Sequence, residues 1–196
     1  MNTDNCVCQW ILQNPLPSNL PLSSSQFIDL NTGWVVGGTG GIGIISKTTN
    51  GGYNWVPLTN SSMSVLLNIF FINPQQGWAV GGALGNNGKI LITANGGLNW
   101  NLQYNESGVI LTSIFFLNSQ TGWAVGLGGR IMKTVNGGVN WLMLSSPTTS
   151  GFSNIYFTDS QTGWISGTGI YKTTNSGNNW TLQATVGSTY FYSMFF

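Results

Sequence analysis

Apolar runs of five or six residues alternate along the whole chain with clusters of Gly, Asn, Ser and Thr, the pattern of short strands separated by turns. One stretch shows it fully. The run SIFFLN (Ser113 to Asn118) is continuously apolar and predicts a strand covered on both faces. GWAVG (Gly122 to Gly126) follows, flanked by glycines that let backbones crowd. RIMKT (Arg130 to Thr134) and NWLML (Asn140 to Leu144) complete four strands, here A to D. Between the last two lies Asn136-Gly137, whose φ > 0 conformations make a tight hairpin turn.

The same four-part pattern recurs. The C–D hairpin reads KTTNGGYNW, ITANGGLNW, KTVNGGVNW and KTTNSGNNW, ending at Trp55, Trp100, Trp141 and Trp180, so the spacings are 45, 41 and 39 residues. The second strand recurs as TGWVVG, QGWAVG, TGWAVG and TGWISG, around Trp34, Trp78, Trp123 and Trp164. A unit of about 40–45 residues with four short strands suits the blade of a β-propeller. The predicted fold is therefore all-β: four-stranded antiparallel blades over residues 25–60, 64–104, 109–146 and 151–184.

Both ends carry parts of further blades. QWILQNP (residues 9–14 and the proline after them) reads as a leading D strand, because Trp10 precedes Trp34 by the interval that separates Trp55 from Trp78, give or take one residue. STYFYSMFF (188–196) reads as a trailing A strand. Four whole blades with two partial ones predict a piece of a larger ring of about seven blades, following an extension over residues 1–8.

Repetition also assigns roles. A feature present in every blade is what stacking requires. Asn50, Asn95, Asn136 and Asn175, with all eight tryptophans above, are expected as structural staples: the Asn capping its own turn, the Trp sealing one blade against the next. Asp29, Asn73, Asn118 and Asp159 share one repeat position and read as caps of the A–B turn.

Composition narrows the function. Only 5% of residues are charged, five Lys+Arg against four Asp+Glu, for a net charge of +1. The basic stripe that nucleic acid demands is missing, as is a polybasic lipid-binding patch. The apolar runs are too short to span a bilayer, so neither nucleic-acid binding nor direct membrane insertion is expected. With no His and only Cys6 and Cys8, no metal or other cofactor is expected. The four acids form no evident catalytic pair, and GGTGGIG sits between strands rather than before a helix, so no enzyme is expected.

T-x-N-G-G-x-N-W resembles the Asp-box of bacterial neuraminidase repeats, S/T-x-D-x-G-x-T-W, with Asn in place of Asp in all four copies. Together with TGWAVG and the FFLNSQTGW lead-in, it is most similar to the photosystem II stability/assembly factor family of propellers, over residues 9–196. The opening CQWILQNPLPSNLPLSSSQFIDLNTGW resembles mature N-termini of secreted Bacteroidetes-type surface proteins. That implies an extracellular or cell-surface location, a removed signal peptide and export by a type IX system. The resemblance to neuraminidases does not carry a sialidase, which would need three arginines where this chain has Arg130 alone. The photosystem factors' arginine patch is missing for the same reason.

The expected function is a non-catalytic binding or scaffold module recognising protein or glycan at the cell surface through its loop face. There the D–A and B–C loops vary most, and Asn86, Asn87, Tyr104, Glu106 and Arg130 are the candidate contacts. The alternative is a structural subunit of a self-assembling filament or surface layer, joined through open blade edges. A photosystem-type assembly role ranks below both.

Overall fold

The computed structural model describes residues 18–58, 64–83, 87–185 and 191–194. The leading strand at 9–14, Cys6, Cys8 and Asn86 lie outside the described residues, as does most of the trailing segment 188–196.

Four antiparallel sheets form, each with its strands in chain order. The first holds β1 (Leu22–Phe27), β2 (Gly33–Thr39), β3 (Ile42–Thr48) and β4 (Val56–Pro57). The second holds β5 (Leu66–Phe71), β6 (Gly77–Gly81), β7 (Asn87–Thr93) and β8 (Asn101–Ser107). The third holds β9 (Leu111–Phe116), β10 (Gly122–Gly126), β11 (Ile131–Thr134) and β12 (Leu142–Met143); a 3₁₀ turn at Leu127–Gly129 separates its middle strands. The fourth holds β13 (Phe152–Phe157), β14 (Gly163–Gly167), β15 (Gly169–Thr173) and β16 (Thr181–Thr185). The first strands lie side by side, β1 on β5, β5 on β9 and β9 on β13, so they line the axis and each sheet is a blade running outward from it.

The apolar residues form three clusters, one in each seam between successive blades. Each seam is built around one ring sandwich. Trp34 of β2 stacks on Phe71 of the next blade at 3.7 Å, Trp78 on Phe116 at 3.5 Å and Trp123 on Phe157 at 3.7 Å. The glycine before each tryptophan makes this possible. The phenylalanine lies across the glycine opposite it in its own blade, where a Cβ would come within 2.6–2.7 Å of the ring at Gly77, Gly122 and Gly163. With one ring face seated there, the other is open to the neighbour's indole. The hairpin tryptophan of the same blade meets the phenylalanine edge-on, as Trp100 meets Phe71 and Trp141 meets Phe116.

The hairpin itself is held by two side chains. Asn136 Oδ1 accepts from the Thr134 hydroxyl at 3.0 Å and the Asn140 amide at 2.9 Å, while Thr134 Oγ1 accepts from the Gly138 amide at 2.8 Å. The same bonds recur at Asn50, Asn95 and Asn175 with Thr48, Thr93 and Thr173. Gly137 and Gly138 have φ of 70° and 91°, and in the fourth blade Ser176 takes the first of these positions at 66°. Asn serves where the related box has Asp because every bond goes to its oxygen. The A–B caps are equally regular: Asp29, Asn73, Asn118 and Asp159 each accept two backbone amides of their turn.

The candidate binding face

Three of the five candidate contacts converge. Arg130, just after the 3₁₀ turn of the third blade, forms a two-pronged pair with Glu106 of the second, at 3.0 and 3.2 Å. Its Nη1 also donates to the Tyr104 hydroxyl at 3.1 Å, and that hydroxyl donates to Glu106. Burial and then the bond to Glu106 push the Tyr104 phenol up to about 12. The Tyr104 hydroxyl, with Arg130 behind it, holds the Glu106 carboxyl below its usual range.

Tyr104, Glu106 and Asn87 are not loop residues, contrary to the sequence expectation. QYNESG has turn composition, yet it runs on as β8 because Asn87-Gly88 starts β7 early enough to pair with it, Asn87 opposite Ser107 and Gly88 opposite Glu106. The polar groups of Tyr104, Glu106 and Arg130 are therefore spent on one another. They latch the second blade to the third.

Away from this latch, a concavity lies at the mouth of the axis. Each axial strand carries a β-bulge near its start: the ladder passes over Ser23, Leu67, Thr112 and Ser153. A bulge turns its extra residue out of the blade stack. These four side chains, with Tyr192, line a cavity of about 440 Å3. Phe152 floors part of it, and Leu127 of the 3₁₀ turn leans in from the loop face. Two of the hydroxyls hold the backbone of the next axial segment: Thr112 Oγ1 donates to the Phe152 carbonyl at 2.6 Å, and Ser153 Oγ donates to the Phe191 carbonyl. Phe191 N–H in turn donates to the Gly167 carbonyl at 2.9 Å.

Sequence reasoning missed this mouth. A signal exists in the aligned axial strands LSSSQF, LLNIFF, LTSIFF and FSNIYF: the last position is always Phe, while the second runs Ser, Leu, Thr, Ser. The fifth position varies as well, running Gln, Phe, Phe, Tyr, so variation marks axial side chains as a group and the bulge picks out the mouth among them.

Below the mouth, side chains of one axial strand capture the backbone of the next. Gln26 bonds both the amide and the carbonyl of Phe71, at 2.6 and 3.0 Å, and Asn68 accepts the Ile114 amide at 3.1 Å. Phe70, Phe115 and Tyr156 form an aromatic arc with centroids 5.2 and 5.1 Å apart.

Known proteins share this architecture. The profile of one family, described as photosynthesis system II assembly factor YCF48, matches residues 57–191. Among solved structures, YCF48 bound to D1 peptide aligns with a TM-score of 0.68 and 21% identity, over 91% of this chain and 57% of that one. YCF48 from Cyanidioschyzon merolae aligns with a TM-score of 0.64 and 21% identity, over 91% and 61%. A GH74 enzyme of Niastella koreensis aligns with a TM-score of 0.66 and 19% identity, over 85% and 30%. At such identities the likeness is one of fold, and the chain spans a little over half the length of the two YCF48 chains. No curated protein matches the sequence. With its repeats, its blades and most of its length matched by the family profile, the chain belongs to the photosynthesis system II assembly factor YCF48 family of BNR-like β-propellers.

Proposed function

We propose that this chain is a non-catalytic protein-binding module whose working surface is the axial mouth on the loop face. The observation that carries the reading is the convergence of the bulge residues. Ser23, Leu67, Thr112 and Ser153 are withdrawn from the ladders and aimed together at one cavity large enough for side chains of a partner. A solved propeller of the same fold holds a peptide, which favours protein over glycan.

The acids support a binding role as well. Asp29 and Asp159 are committed to turn amides and Glu106 to Arg130, so among the described residues no carboxylate is left for acid–base work. An extracellular or cell-surface setting fits a surface built from Asn, Ser, Thr and Gly.

The test is a tethered peptide array and a glycan array probed with the wild-type chain and with Leu67→Asp. The reading expects peptide spots that the variant loses. A blank peptide array beside bound glycans, or peptide binding indifferent to Leu67→Asp, would overturn it.

A further inference from the structure

We infer that the mouth takes an extended, uncharged peptide segment bearing aromatic or aliphatic side chains; this rests on the protein-binding reading above and names its ligand chemistry. Among the described residues the cavity is lined by Ser, Thr, Leu, Phe and Tyr only. The nearby Arg130 and Glu106 cancel each other at 3.0 Å. A charged segment would give up water there and meet no opposite charge in return.

The rim offers apolar surface as well. Leu127 is 47% exposed and Tyr192 81% exposed at the rim, above Leu67 and Phe152. Flat aromatic or branched aliphatic groups gain most from such a rim, because they remove area from water without needing a polar partner.

The wall already holds backbone of this chain. Ser153 takes the carbonyl of Phe191 while Gly167 takes its amide, so the backbone of Phe191 is gripped at the wall and Tyr192 follows it into the lining; the segment from Phe191 to Met194 is itself Phe-Tyr-Ser-Met, uncharged and aromatic. Thr112 grips Phe152 in the same way one blade earlier. Ser23 offers a hydroxyl at the equivalent bulge of β1. Such a grip reads backbone rather than sequence, and leaves the apolar lining to select the side chains.

Calorimetric titration tests this with blocked peptides. One is Gly-Ser-Phe-Tyr-Ser-Met-Gly-Ser; a second replaces Phe and Tyr by Ser; a third and fourth replace Met by Asp or Lys. The first should bind at least about tenfold more tightly than the others, an affinity gap that titration resolves readily. Its affinity should hold steady between about 50 mM and about 500 mM salt, since the described lining carries no charge to be screened and Arg130 and Glu106 are paired with each other. Tyr192→Ser, at a site too exposed to disturb folding, and Leu67→Asp should each weaken it. If the Asp or Lys peptide binds as well as the first while both variants still weaken binding, the inference falls and the protein-binding reading stands. If no peptide binds, or binding ignores both variants, both fall.

Discussion

Trp34 lies flat on Phe71 of the following blade, 3.7 Å between centroids and 10° from parallel, and both rings are all but fully buried. Phe27 occupies the same repeat position in the first blade and meets Trp55 edge-on as Phe71 meets Trp100, yet it is 46% exposed. Among the described residues the two phenylalanines therefore differ chiefly in the indole of a neighbouring blade, which covers Phe71. Phe71→Ala should cost about 3–5 kcal/mol, and Phe27→Ala no more than about half of that, because much of its ring already meets water. Urea unfolding of the two variants makes the comparison.

The seam between the second and third blades departs from the others and is compensated only in part, with Trp78 Nε1 and Gln103 Oε1 buried and without a hydrogen-bond partner. Lys47 and Lys133 each sit over the stacked tryptophan and reach the next blade's turn, Lys47 Nζ at 3.4 Å from the Gly96 carbonyl and Lys133 Nζ at 2.6 Å from Ser176 Oγ. Trp34 and Trp123 donate to the same turns, at 3.0 and 3.1 Å. In the middle seam Ile92 stands where the lysines stand, and Gln103 of the outer strand donates to the Gly137 carbonyl at 2.8 Å instead. Gln103→Leu should destabilise by about 1–3 kcal/mol, having removed that donor. Adding Ile92→Lys should recover most of the loss, and the double-mutant cycle should show coupling of at least about 0.5 kcal/mol. Additive effects would count against this account of the seam.

The threonine two residues before each box asparagine is a hidden partner of the turn. Thr134 is buried, and its hydroxyl serves both Asn136 and the Gly138 amide. Thr134→Val keeps the shape and leaves that amide without its acceptor, for an expected loss of about 1–3 kcal/mol. Asn136→Asp preserves every acceptor contact and should be far milder at neutral pH. Thermal melts of the two variants should rank them in that order.

Much of this was legible in the sequence, for a physical reason. Blade number, strand order and turn caps depend on residues that every copy needs in the same register, so Asn136 and Trp141 announce themselves by recurrence. The seam exchange did not, because Ile92 and Gln103 are meaningful only against a turn 34 residues beyond Gln103, in another blade. A bulge is an event of backbone pairing whose only trace in the sequence is a variable second position in the axial strands, which hid Leu67 and Thr112. Tyr104 and Glu106 misled in the other direction: their loop-like neighbours Asn105, Ser107 and Gly108 belong to a strand and its exit.

The latch between blades should show in titration. Tyr104, raised to about 12, should ionise above the ordinary tyrosine range, and Tyr104→Phe should remove that last step from the phenolate absorbance curve. A folded value above the unfolded one contributes stability that is complete below about pH 10 and lost as pH rises through about 12. Glu106 works in the opposite sense. Its folded value lies below the ordinary glutamate value, so its contribution is present above that ordinary value and fades as acid carries the carboxyl through its depressed range. Arg130→Gln should therefore narrow the stability gap to wild type on going from neutral to strongly acidic pH.

The central claim is that the axial mouth, rather than the Tyr104–Glu106–Arg130 latch, meets the partner. Amide hydrogen exchange with the tightest peptide from the array tests it most directly. The expected result is slowed exchange around Leu67, Thr112, Leu127 and Ser153, with β8 unchanged. Protection centred on Tyr104, Glu106 and Arg130, with the bulges exchanging as in the free chain, would contradict it.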